Sequence, residues 1–179
     1  MSVDFSQIKT GGTFLTTTVG TNKVFCKESF SEEERMIYEA MCDFATNELL
    51  PLSQSDLNKK DEKLIRKLVE QMGELGFLGI DVPEKYGGSE MTKTGMCILA
   101  EGISMSGSPS FCTVWNVQTS IGSLGIIWYG NDEQKQKWLP GICSGKKIAA
   151  FALTEPEAGS DATNSKTIGV LSEDGKHYI

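Results

Sequence analysis

Between residues 31 and 50, apolar side chains recur at three- and four-residue steps: Met36, Ile37, Ala40, Met41, Phe44, Ala45 and Leu49. That period is one face of an amphipathic helix. Ser31 and Glu34 mark its start, spaced as a capping box in which each side chain satisfies the other residue's orphan backbone donor. Phe30 stands as a hydrophobic staple, and Pro51 ends the run. A second stripe, Leu64, Ile65, Leu68, Val69, Met72 and Leu75, follows Asp61 and Glu62, whose charges suit the positive end of a helix. Gly76 fits the left-handed residue that closes it. The connection "GIDVPEKYGGSE" comes next, where Gly87 and Gly88 permit a backbone path that a side chain would block.

A third helix is predicted from about Thr92 to Met105, through Met96, Ile98, Leu99, Ala100 and Ile103, weakened by Gly95 and Gly102. A fourth, from about Pro109 to Tyr129, is apolar nearly all round yet carries Ser120, Gly122, Ser123 and Gly125. Such small residues either admit a neighbouring helix or leave room for something else. Trp128, Tyr129 and Trp138 read as interhelical packing rather than a ring-stacking site. A short fifth helix is capped by Asn131 toward Gln134 and stops near Pro140. Beyond it the period changes. A short apolar strand at 147–153 leads into turn chemistry, and "NSKTIGVLSEDGKHYI" reads as strand, Asp174-Gly175 turn, strand.

These elements predict a mainly α chain in three parts. An irregular, Gly- and Thr-rich arm at 1–30 precedes a helical bundle of about five helices at 31–146, and 147–179 supplies the first strands of a β-barrel-like domain. A hairpin of this size is marginal alone, because its faces and edges lack covering strands. The chain is therefore expected to be a fragment, or a natural truncation, of something longer.

Composition narrows the chemistry. The 179 residues carry a formal charge of −7, which offers no basic footprint for nucleic acid. Five irregularly spaced cysteines without a Cys-x-x-Cys pair argue against a disulfide framework and a zinc site, and for a reducing cytoplasm. No window approaches the ~18 apolar residues of a membrane span, and residues 1–30 lack a signal-peptide pattern. His177, the only histidine, reads as a solvated strand residue, so neither a His-based triad nor a metal is expected. Glu32, Glu33 and Glu34 are explained by capping and solvation. GxGxxG, GxxxxGK[ST] and GxSxG are all absent.

The stretch "AFALTEPEAGSDA" at 150–162 keeps two readings open. Thr154 and Ser160 bring hydroxyls, Pro156 fixes one φ, and Gly159 lets the amides around Ala158, Gly159 and Ser160 converge on an anion or a carbonyl. The same residues also suit a plain strand-to-strand corner in which Asp161 bonds its own turn.

At "FALTEPEAGSDA" the sequence resembles the acyl-CoA dehydrogenase family, whose flavin-binding signature is an apolar strand, Thr-Glu-Pro, two variable residues and Gly-Ser-Asp. "VPEKYGG" at 82–88 and "GNDEQKQKWLPGICSGKKIAAFALTEP" at 130–156 extend the likeness, and "QTSIG" at 118–122 is most similar to the very-long-chain type. The resemblance implies an oxidoreductase of fatty-acid β-oxidation. A base removes the α proton of an acyl-CoA thioester, hydride leaves the β carbon for FAD, and electrons pass to an electron-transferring flavoprotein. By position it brings Phe151, Leu153 and Thr154 to the flavin ring and Gly159 and Ser160 to the diphosphate, with Ser160 also meeting the substrate's CoA part. The fourth helix would line the acyl channel, giving Gly122, Ser123 and Gly125 a second meaning beside close packing.

The departures matter equally. The family's Trp-Ile-Thr-like flavin motif and its catalytic Glu belong to regions beyond "KHYI", so no catalytic residue is expected within these 179 residues. Alone they are expected to bind little or no FAD and to turn nothing over, while the parent protein is expected to be a homo-oligomer. The rival reading is a non-enzymatic helical module for interaction or assembly, derived from the same family. A nucleic-acid-binding relative is disfavoured by the acidic balance.

Overall fold

The computed structural model describes residues 27–52 and 61–179, so most of the expected arm lies outside the described residues. Its helices are α1 (Glu32–Phe44), α2 (Glu62–Glu74), α3 (Lys93–Ser104), α4 (Pro109–Thr119), α5 (Leu124–Tyr129) and α6 (Asp132–Cys143). The chain divides into two compact units, residues 1–61 with 91–112, and 62–90 with 113–179.

In the first unit, α1 starts at the predicted capping box. Ser31 Oγ accepts the Glu34 amide at 3.1 Å and Glu34 accepts the Ser31 amide at 2.8 Å. A single π turn, Ala45–Leu49, continues the helix to the predicted stop before Pro51. The inward stripe is narrower than predicted: Met41, Phe44, Ala45 and Leu49 are buried, whereas Met36 and Ala40 are exposed. Thr92 caps α3 by accepting the Gly95 amide. Gly102 is more than a propensity defect, because a Cβ there would lie 2.8 Å from Met41 Cγ; the glycine lets α1 and α3 approach closely. Lys27, in a 3₁₀ turn, pairs with Glu101 and hydrogen-bonds the Tyr38 hydroxyl, tying the start of the described chain to both helices.

In the second unit, Gly76 closes α2 in the left-handed conformation (φ 77°) and the Phe77 amide returns to the Met72 carbonyl. Val82, Tyr86, Leu139, Ile142 and Cys143 form a core against which Ile126, Ile127 and Ala149 pack. Asn131 and Gln134 make a second capping box for α6. This helix runs through Pro140 to Cys143 instead of stopping. A mid-helix proline costs about 3 kcal/mol. Burial of Ile142 beside Cys143 offsets that with about 1.5–3 kcal/mol.

Two further expectations fail. The fourth helix is not continuous to Tyr129 but breaks at 120–123. There Thr119 and Ser120 hydroxyls return to carbonyls of the preceding turn, Ser123 Oγ donates to the Ser120 carbonyl, and the Gly122 amide reaches Val117 rather than Gln118. Nor do strands form: among the described residues there are only isolated bridges, Glu155 with Ala158 and Leu171 with Tyr178. Residues 147–153 find no strand to pair with. The 170–179 hairpin keeps its predicted turn, with Gly175 at φ 69°, and paired Val170–Ile179 amides, but little more. Trp128 and Tyr129 are 62% and 86% exposed, so they are not interhelical packing; Trp115 is the buried tryptophan, donating to the Phe77 carbonyl.

Candidate functional site

The path into the turn is fixed by one buried side chain. Gln118, near the end of α4, is 1% exposed and uses both ends of its amide. Its nitrogen donates to the Ile142 carbonyl at the end of α6 (3.0 Å) and to the Lys147 carbonyl (2.8 Å), and its oxygen accepts the Ala149 amide (2.8 Å). Gly122 packs against the same stretch: a Cβ there would come within 3.0 Å of Ala149 Cβ. Its small size therefore serves the segment at Ala149 and the end of α4, whose Val117 carbonyl oxygen would lie 2.8 Å from the Cβ, whereas Gly125 faces open space.

From Ala150 to Thr154 the chain is exposed, with Phe151 at 55% and Leu153 at 47%. Then the backbone doubles back. Glu155 and Ala158 exchange both of their amide-to-carbonyl bonds (3.0 and 3.2 Å) across Pro156-Glu157. This corrects the expectation of three converging donors, because the Ala158 amide is consumed inside the turn and Gly159 is not left-handed. Among the described residues, the amides of Gly159 and Ser160 have no partner, and neither has the Thr154 hydroxyl. A Cβ added at Gly159 would meet nothing within 4 Å. Asp161 does bond its own turn, accepting the Thr163 hydroxyl at 2.7 Å.

The far side is closed by Glu155, whose carboxylate accepts the backbone amides of Lys166 (2.7 Å) and Thr167 (3.2 Å). Glu157 pairs with the Lys166 ammonium at 2.5 Å. Hydrogen bonding from Thr167, then from the Lys166 amide, holds the Glu155 carboxyl below the usual carboxylate range. A depressed folded-state pKa means that the loop's stabilisation by Glu155 is complete above the ordinary carboxylate value and is lost as pH falls through the lower, folded-state value. The amide proton shifts of Lys166 and Thr167 are accordingly expected to titrate together, below the usual glutamate range. Titration at an unperturbed glutamate value would contradict the clasp.

All five residues singled out in the sequence, Phe151, Leu153, Thr154, Gly159 and Ser160, are thus exposed on one short stretch. Side chains of this kind beside free backbone donors fit a ligand with a flat apolar part and an anionic part. Sequence reasoning missed Gln118 and Glu155 as determinants of this stretch; Gln118 shares α4 with a second amide, Asn116, so residue type alone does not single it out. Other chemistry is sparse. Burial pushes the Cys143 thiol up to about 11, which makes it a core side chain rather than a nucleophile. No group of metal-ligating side chains occurs among the described residues, and no described helix is long and apolar enough to cross a membrane. His177 is exposed, 4.0 Å from Asp174.

The family model for the acyl-CoA dehydrogenase N-terminal domain matches residues 31–146. The chain belongs to the acyl-CoA dehydrogenase family. Among relatives, a probable acyl-CoA dehydrogenase of Bacillus subtilis is 41% identical over all of this chain and 30% of its own length. The very long-chain specific acyl-CoA dehydrogenase of Rattus norvegicus is 38% identical over 68% of this chain and 18% of its own. The crystal structure of a Bacillus anthracis acyl-CoA dehydrogenase complexed with FAD superposes with a TM-score of 0.83 at 41% identity, covering 94% of this chain and 28% of that one. The chain thus spans less than a third of the length of these relatives.

Proposed function

We propose that residues 31–146 form the N-terminal helical domain, and 147–179 the opening of the middle β domain, of an FAD-dependent acyl-CoA dehydrogenase. The observation that carries this reading is the exposure of Phe151 and Leu153 on the same stretch as the donors of Thr154, Gly159 and Ser160, which have no partner among the described residues. Phe151, Leu153 and Thr154 border the flavin ring, Gly159 and Ser160 donate to the diphosphate, and Ser160 also meets the CoA part of the substrate. When bound, FAD supplies the acceptor for the hydride that leaves the β carbon of an acyl-CoA thioester. The FAD in the Bacillus anthracis relative supports the choice of cofactor. None of these 179 residues is assigned the α-proton base, so by themselves they are expected to hold flavin weakly and not to turn over. In the complete gene product the electrons go on to an electron-transferring flavoprotein, within a cytoplasmic homo-oligomer.

The test is anaerobic titration of the FAD-loaded complete gene product with straight-chain acyl-CoA thioesters of increasing length. At least one is expected to bleach the visible flavin band. If none does, the fatty-acid reading fails.

A further inference from the structure

Residues 150–154 have no hydrogen-bond partner among the described residues, yet both ends of the span are tied to distant parts of the same unit through one side chain each. At the entry, Gln118 holds Lys147 and Ala149 against the end of α6. At the exit, Glu155 reaches across to the Lys166 and Thr167 amides, eleven and twelve residues on, while its own backbone is locked to Ala158. A span free at both ends would lose most of its conformational freedom when it took up a ligand. Ends already fixed remove much of that loss and preset the direction of the unpartnered donors. Apart from the bond of Gln118 to the Ile142 carbonyl at the end of α6, both clasps act on the ends of this span. The three hydrogen bonds of Gln118 sit at one junction, and the Glu155 carboxylate could be solvated at this half-exposed position without bonding the chain.

We propose that Gln118 and Glu155 are positioning residues that hold 149–158 in the shape that receives the cofactor, a role that rests on the flavin reading above. Neither touches the reacting atoms. Gln118 acts through the Ala149 amide, and Glu155 acts through the turn that presents Gly159 and Ser160.

The experiment compares Gln118→Met, Glu155→Ala and the conservative Glu155→Gln in the complete gene product. In flavin-free protein, exchange of the hydrogen-bonded amides in this span is expected to rise about tenfold, that of Ala149 in Gln118→Met and those of Glu155 and Ala158 in Glu155→Ala, and less in Glu155→Gln. Peptides from α1 and α3 should exchange as in the wild type, which a general loss of stability would not permit. The FAD dissociation constant should rise by a similar factor, about tenfold, in the same order of variants. If Gln118→Met does not fold, the two Glu155 variants make the same comparison at a half-exposed site. Unchanged exchange at 149–158 overturns the positioning role and leaves the flavin reading intact. Faster exchange with unchanged FAD affinity also overturns it. A wild-type protein that takes up no FAD removes the flavin reading itself, and the proposed role with it.

Discussion

Gly159→Asp in the complete gene product is expected to lower FAD affinity more than a hundredfold, while Gly159→Ala leaves folding stability within about 0.5 kcal/mol of the wild type. The contrast follows from what surrounds this glycine. Its φ is not in the left-handed region and a Cβ would meet nothing within 4 Å, so the fold itself does not demand a glycine here. Alanine can even stabilise slightly by restricting the unfolded chain. A carboxylate is different, because it would sit beside the Gly159 and Ser160 amides that are proposed to receive the diphosphate. At a separation of about 5 Å and an effective dielectric of about 20, each pair of like charges costs about 3 kcal/mol, which exceeds a hundredfold in binding. Isothermal titration with FAD, together with thermal denaturation of both variants, checks the pair. Wild-type affinity in Gly159→Asp would remove the diphosphate from this turn.

What was legible in the sequence was local. The Ser31–Glu34 capping box and the Asn131 cap toward Gln134 form as read, the second with a reciprocal bond that makes it a full box, because all their atoms lie within one helical turn. Gly76 and the Asp174-Gly175 turn were readable for the same reason. The break in the fourth helix was less so, since serine and threonine become helix breakers only where several hydroxyls compete for the same carbonyls. Pro140 misled in the opposite direction: its effect on the ladder is local, but the burial that carries α6 past it comes from Val82 and Tyr86, far away in sequence. The candidate site divides along the same line. Its exposed residues stand in one motif, whereas the side chains that shape it, Gln118 and Glu155, do so through partners eleven or more residues distant. Such contacts leave no periodic trace.

Gly88→Ala is expected to destabilise the second unit by about 3 kcal/mol or more, a large part of the 5–15 kcal/mol that holds a domain together. Gly88 lies where the "VPEKYGG" connection crosses itself. Its amide donates to Pro83 at 3.3 Å, the Ser89 amide to Gly79 at 2.8 Å, and the Glu90 amide back to Val82 at 3.1 Å. A Cβ on Gly88 would fall against the Val82 carbonyl and 2.5 Å from Val82 Cβ, and one on Gly79 would lie 2.8 Å from Gly88 Cα. These obstacles are mostly backbone, which cannot swing aside as the tip of a long side chain can. Val82 is itself 2% exposed and packed with Tyr86, Leu139 and Ile142, so pushing it away opens the core that also supports Ala149 and the entry to the candidate site. Gly175→Ala provides the contrast. Its φ of 69° carries a strain of about 1 kcal/mol for alanine, but no atom lies within 4 Å of the added methyl. Urea denaturation of the two variants should therefore separate them by about 2 kcal/mol. Equal midpoints would mean that the crossing at Gly88 does not form as described, and the anchoring of the segment beyond α6 would have to be sought elsewhere.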